Sequence, residues 1–321
     1  MPHLEDLPNV LEHLGLPAAV PAAQTSFFWG YARMLERGQS DDAQGVWARL
    51  ANPGQPWLGS AAIASSYRLA AQFAALVDMP LALALAVHAG LEYLKAGAPF
   101  GLFLLTGLLD DQILRDSSVL STLTNPLSEP VAQPGLADPV QQTYMVLAAA
   151  SRPWLRGLLG QSVGQPIDDM VEHLAAHDLH PIGPQSIPLA TYLTFARTML
   201  SDQPGRLADG AGERTLSEIA GQLAEMGRIQ ATRLRATMRN NFLWQNAAAP
   251  VNVIDLEYVA MCGLAMRHDP DWSESLPRRM RSELESDDPL AEIPIWVMGE
   301  IDRVLPEVAD GILEHLRGRP H

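Results

Sequence analysis

The sequence predicts an all-α protein of stacked helical hairpins, a helical-repeat-like array in two packed parts. Three observations carry that prediction. Apolar residues recur three and four positions apart in every long segment. Alternating runs rich in Val, Ile and Thr are nearly absent, the nearest being Val251 to Ile254. Clusters of Pro, Gly, Asn and Asp cut the chain into pieces of helix length rather than strand length.

From Ala61 to Asp78, the residues Ile63, Tyr67, Ala70, Ala71 and Ala74 keep one side of a helix apolar. Phe100 to Leu109 is among the most apolar stretches and is expected as an apolar helix. Pro126, Pro130, Pro134 and Pro139 then punctuate a stretch that also holds Asn125, Ser128, Gly135 and Asp138. Proline lacks a backbone donor and blocks helix propagation, so residues 125–139 are expected as a linker. That divides the chain into an N-terminal part, 1–124, and a C-terminal part, 140–321. Further breaks are expected from Ser201 to Gly212, near Ala249 to Asn252, and from His268 to Ser273. Between them, Leu216, Ile219, Leu223, Met226 and Ile229 step along a helix in the segment Thr215 to Asn241. Ile301, Val304, Leu305, Val308, Ile312 and Leu316 do the same from Glu300 to Leu316.

The segment Leu69 to Tyr93 resembles a tetratricopeptide (TPR) helical hairpin. Leu69 and Ala70 stand where that repeat has its Leu-Gly pair, and Phe73 where it has an aromatic residue. Asp78 falls in the turn, and Ala82, Leu83 and Ala89 fall on the small-residue positions of the second helix. Small side chains at a crossing let two helices approach closely. Tyr31 to Leu50 is a weaker echo, with Gly38 and Asp42 in its turn, so the likeness covers about residues 27–97. Ala86 replaces the usual second-helix aromatic, and no 34-residue period continues past residue 100. The resemblance implies stacked hairpins and a surface that binds another protein.

Composition excludes several classes. The chain has 321 residues, 47% of them hydrophobic and 18% charged, which is too apolar for a disordered segment. One cysteine, Cys262, rules out an internal disulfide framework. A net charge of -15 argues against nucleic-acid binding, which needs a cationic surface. Pro80 to Leu91 and Phe100 to Leu109 are too short to span a bilayer, so no membrane partner is expected. The opening residues Met-Pro-His-Leu-Glu-Asp are acidic where a secretory signal carries basic residues. The expectation is a cytoplasmic protein, and Lys95 as the only lysine in an Ala- and Arg-rich chain suggests a GC-rich bacterial source.

Several motifs could carry chemistry. Gly160-Gln161-Ser162-Val163-Gly164 matches the G-x-S-x-G pattern, which requires a strand-to-helix elbow that no sheet here supplies. Asp110, Asp111 and Asp116 form D-D-x-x-x-x-D after the apolar helix. This spacing is similar to the first aspartate-rich motif of the isoprenyl diphosphate synthases, and implies Mg²⁺ bridged to a diphosphate. The sequence holds no second aspartate-rich motif. His173 and His177 stand four apart, with Asp169 one turn earlier and His180 later, and could offer imidazoles to a metal from one helix face. Arg228, Arg233, Arg235 and Arg239 form one basic cluster, and Arg278, Arg279 and Arg281 another. Glu213, Glu218 and Glu225 are their expected partners.

Two readings of function follow. The first is a non-catalytic binding protein, such as an adaptor, a chaperone or an immunity-type inhibitor, that holds a basic protein and needs no cofactor. Acidity favours such a partner by steering its approach. The second is a metal-dependent helical enzyme using Asp110, Asp111 and Asp116, or His173 and His177. The first is preferred because no motif completes the shell of groups that catalysis needs.

Overall fold

The computed structural model describes residues 7–13, 32–33, 56–128, 138–176, 189–201, 211–239, 253–284 and 289–317. Among these the regular structure is entirely helical. The order is α1 (Leu7–His13), α2 (Pro56–Ala74), α3 (Met79–Lys95), α4 (Phe100–Leu108), α5 (Asp111–Leu114), α6 (Ser117–Ser128) and α7 (Pro139–Ser151). There follow α8 (Pro153–Val163), α9 (Ile167–Ala175), α10 (Leu189–Ser201), α11 (Ala211–Arg239), α12 (Leu256–Met266), α13 (Trp272–Leu284) and α14 (Pro289–Arg317). The all-α prediction holds. Val253 and Ile254, the most strand-like residues, lie in a turn before α12.

Aspartates start many of these helices. Asp78 accepts from the Leu81 amide at 3.1 Å, Asp138 from Val140 at 2.9 Å and Asp255 from Glu257 at 3.0 Å. A carboxylate there satisfies an orphan amide and meets the positive end of the helix dipole. Proline stands in the first turn of α3 and α7, where its missing donor costs nothing. Gly97 (φ 70°) and Gly164 (φ 69°) take the left-handed conformation that stops α3 and α8. The Gly160–Gly164 motif is therefore a helix end. Ser162 lies within α8, and the Gln165 amide returns to the Gly160 carbonyl at 3.1 Å.

The residues singled out for a helical hairpin form one. Leu69 and Phe73 lie in α2, Asp78 caps the turn, and Ala82, Leu83 and Ala89 lie in α3. The weaker echo at 31–50 falls outside the described residues except for Ala32 and Arg33. Helix α6 runs through Asn125 to Ser128, four residues into the expected linker; residues 129–137 lie outside the described set.

Helix α4 is the centre of the molecule, and all nine of its residues are buried. It packs without side chains intervening at two points. A Cβ on Gly101 would lie 2.2 Å from the Gly90 carbonyl oxygen of α3. A Cβ on Gly263 of α12 would lie 2.0 Å from the Gly107 carbonyl oxygen. Glycine lets backbones meet at these crossings, and the apolar side chains beside them fill the remaining space. One apolar cluster runs from Leu11 through α4 and α12 to Ile312. The two sides of the proline-rich segment thus share a core.

Candidate functional site

The C-terminus of α4 is buried, so its last carbonyls need partners other than water. Two arginines supply them. Arg152, 2% exposed at the start of α8, donates through Nη2 to the Thr106 and Leu109 carbonyls, each at 3.3 Å. Arg267, at the end of α12, donates to Gly107 at 3.2 Å and Leu108 at 3.3 Å. Arg152 also holds the Arg267 carbonyl through Nη1. Two cations at the negative end of a helix are electrostatically favourable. Burial lowers Arg152 to about 10, with Asp111 opposing that shift, so it stays charged at neutral pH.

The aspartates of the D-D-x-x-x-x-D motif belong to this junction. Asp110 caps α5 by accepting from the Ile113 amide at 2.9 Å. Asp111 pairs with Arg152 (Nε to Oδ1, 2.9 Å) and Arg115 (3.0 Å), and accepts from the Trp154 indole at 3.2 Å. Asp116 accepts from the Ser118 amide at 3.0 Å. Asp110 and Asp116 thus serve separate helix starts, while Asp111 is held by two guanidiniums. A diphosphate-bound Mg²⁺ needs carboxylate oxygens that converge and remain open. His173 is exposed on α9 beside Asp169 and Glu172, and His177 and His180 lie outside the described residues. Among the described residues no group of three His, Cys, Asp or Glu side chains is placed to hold a metal ion.

Four arginines of the two clusters, Arg228, Arg233, Arg279 and Arg281, are paired with carboxylates of the same chain. Arg228 meets Glu225 at 2.7 Å, Arg279 meets Glu213 at 3.0 Å and Arg281 meets Glu292 at 3.1 Å. An open cleft of about 510 Å³ between α11 and α13 is crossed by the Arg279–Glu213 pair.

Two features escape sequence reading. The first is a cluster of polar and aromatic side chains assembled from six helices. Tyr144 (α7) and Tyr192 (α10) both donate to Oε1 of Glu257 (α12), each at 2.7 Å. Phe100 and Phe103 (α4) pack on Tyr144 with ring centroids 4.9 and 5.1 Å away, and Tyr93 (α3) packs edge-on to Phe100. Arg68 (α2) lies over Phe100, 5.6 Å from the ring centre. Burial, and then the charge of Asp255, push Glu257 above the ordinary carboxylate range, although the two tyrosines and Arg68 pull it down. Burial and Glu257 push both tyrosines upward, so they remain hydroxyl donors. Glu257 lies 113 and 65 positions from its tyrosines, beyond the reach of any local pattern.

The second is the outer face of α14. Glu292, Trp296, Glu300, Arg303, Glu307, Asp310 and Glu314 fall on one stripe at helical spacing. Between Trp296 and Glu314 that stripe is about 27 Å long at 1.5 Å per residue. Trp296 is 38% exposed, and with Leu158 it is one of two large apolar side chains so exposed among the described residues. Positions 299 and 311 are glycines with open space around them, which leaves the face flat. The apolar stripe of α14 would have revealed this face, since Trp296 falls off the register of Ile293, Val297, Ile301 and Val304.

Among the described residues no helix is long and apolar enough to cross a membrane. Comparison with known proteins gives no matching family model, no matching curated protein and no matching solved structure.

Proposed function

We propose that this chain is a non-catalytic binding protein that holds a basic protein partner on the outer face of α14. The observation that carries this reading is the exposed Trp296 at the head of an acidic stripe. Five carboxylates (Glu292, Glu300, Glu307, Asp310, Glu314) stand there against one cation, Arg303. Arg303 pairs with Glu300 at 2.7 Å, and Glu292 with Arg281. That leaves Glu307, Asp310 and Glu314 as the charged end of the face. An exposed tryptophan offers a large rigid anchor and a π-face for an arginine or lysine. The carboxylates add orientation and speed of encounter. The net charge of -15 attracts the same class of partner at longer range. Small-residue packing in the α2–α3 hairpin and its TPR-like residue pattern fit a scaffold of the adaptor, chaperone or inhibitor kind.

The test is affinity capture from a GC-rich bacterial host with wild-type protein, Trp296→Ala, and the triple variant Glu307→Lys/Asp310→Lys/Glu314→Lys. A basic protein retained at low salt, released as ionic strength rises and lost with both variants is the expected result. Retention of the same protein by the triple variant would overturn the proposal.

A further inference from the structure

We propose that the cleft between α11 and α13 binds a hydroxylated carboxylate, a small molecule of the sugar-acid kind with one carboxylate and several hydroxyl groups. The cleft lies apart from the α14 face and shares no residue with it.

The cleft offers about 510 Å³ of open space between the start of α11 and one side of α13. Small-molecule pockets run from roughly 300 to 1,000 Å³, so a sugar-sized guest has room. Leu216 is the one apolar side chain on the lining and is 5% exposed, so the surface presented to a guest is polar. Most of that surface comes from a single helix face. Ser275, Arg278, Arg279 and Ser282 stand at i, i+3, i+4 and i+7 of α13. Ser275 and Ser282 are thus about 10 Å apart along the axis at 1.5 Å per residue.

Charge on the lining selects the head group. Glu213 reaches across from α11 and pairs with Arg279 at 3.0 Å, which compensates that cation and fixes its side chain. Arg278 is exposed and has no carboxylate partner among the described residues. One uncompensated guanidinium matches one negative charge, and it grips a carboxylate through two parallel N–H bonds. A dianion would bring more charge than Arg278 balances, beside the carboxylates of Glu213 and Asp271. The remaining acidity of the chain does not forbid a monoanion, because salt screens exposed charges beyond about 8 Å at physiological ionic strength.

The rest of the lining selects hydroxyls. The Asp271 carboxylate has no donor among the described residues. Ser275 donates its own proton to the Asp271 carbonyl at 2.6 Å, which leaves its oxygen as an acceptor. Ser282 is exposed with its hydroxyl unengaged among the described residues. Three acceptors spread along one face match a row of ligand hydroxyls better than a single point donor.

The experiment is isothermal titration calorimetry of the full-length protein at fixed ionic strength with D-glucuronate, D-galacturonate and D-gluconate. At least one is expected to bind saturably at one site per chain. D-Glucose, which lacks the carboxylate, and butyrate, which lacks the hydroxyls, are each expected to bind at least about tenfold more weakly. Arg278→Gln is expected to weaken the acid by a similar factor, and its exposed position leaves the core untouched. Failure of all three acids to bind at about 10 mM would overturn the proposal. So would binding that survives loss of the carboxylate, loss of the hydroxyls, or Arg278→Gln. Glucose 6-phosphate binding more tightly than every acid would overturn the assignment to a carboxylate.

Discussion

Arg152 and Asp111 are joined by an ion pair whose two ends see different surroundings: the guanidinium is 2% exposed and the carboxylate 43% exposed. The buried end is the one that matters for stability. It closes the carbonyl end of α4, whereas Asp111 retains contact with water.

Removing the two ends should therefore have unequal effects. Arg152→Met orphans the carbonyls of Thr106, Leu109 and Arg267 and is expected to cost about 3–5 kcal/mol. Asp111→Asn leaves those bonds in place and is expected to cost roughly 1 kcal/mol. Urea unfolding of both variants checks the order. Equal losses would mean that the carbonyl bonds contribute little.

Glycine substitutions separate close packing from helix propensity. Gly101→Ala places a methyl group 2.2 Å from a backbone oxygen that cannot rotate away, so α3 and α4 must move apart. A loss of about 3 kcal/mol is expected, outweighing the roughly 1 kcal/mol that alanine gains over glycine in a helix. Gly221→Ala in α11 meets nothing within 4 Å and should stabilise by about 0.5–1 kcal/mol. Thermal melting of the pair should shift in opposite directions.

Glu257 makes stability depend on pH. Its folded pKa is raised, so the fold favours the protonated form. That contribution is fully present below the unfolded-state value and is lost as pH rises through the folded value. Glu257→Gln keeps an oxygen for the tyrosines but carries no charge. Its melting temperature should match wild type in acid and exceed it increasingly from about pH 5 upward. A difference independent of pH would show that Glu257 is not held in a desolvating site.

Cys262 should be inert in the native protein. It is 1% exposed, and burial pushes its thiol upward while the Tyr258 hydroxyl pulls it down. A buried, protonated thiol is a poor nucleophile. Ellman's reagent is expected to titrate no thiol under native conditions and one per chain in guanidinium chloride, matching the single cysteine of the sequence. Rapid native labelling would contradict the packing of α12 against α11.

The helices were the most legible part of the molecule. Ile219, Leu223 and Met226 face the core of α11, and Ile301, Val304 and Leu305 that of α14, as their spacing predicts. Proline was less reliable as punctuation. Pro126 and Pro306 lie inside α6 and α14, where the turns around them continue. The aspartates at 110, 111 and 116 were visible as a pattern, but their employment at helix ends was not. An aspartate that caps and one that binds a metal look alike until the direction of the neighbouring amides is known.

Taken alone, the chain's letters determined that it is helical, where its long apolar stripes lie and that it carries a large negative charge. These are local or additive properties, set by neighbours three and four positions away or by a sum over residues. Tertiary structure alone decided that Glu257 meets Tyr144 and Tyr192 and that two distant arginines close α4. Those relationships depend on how helices rotate and cross, and crossing is governed by backbone contacts such as Gly90 with Gly101, which no single segment encodes by itself.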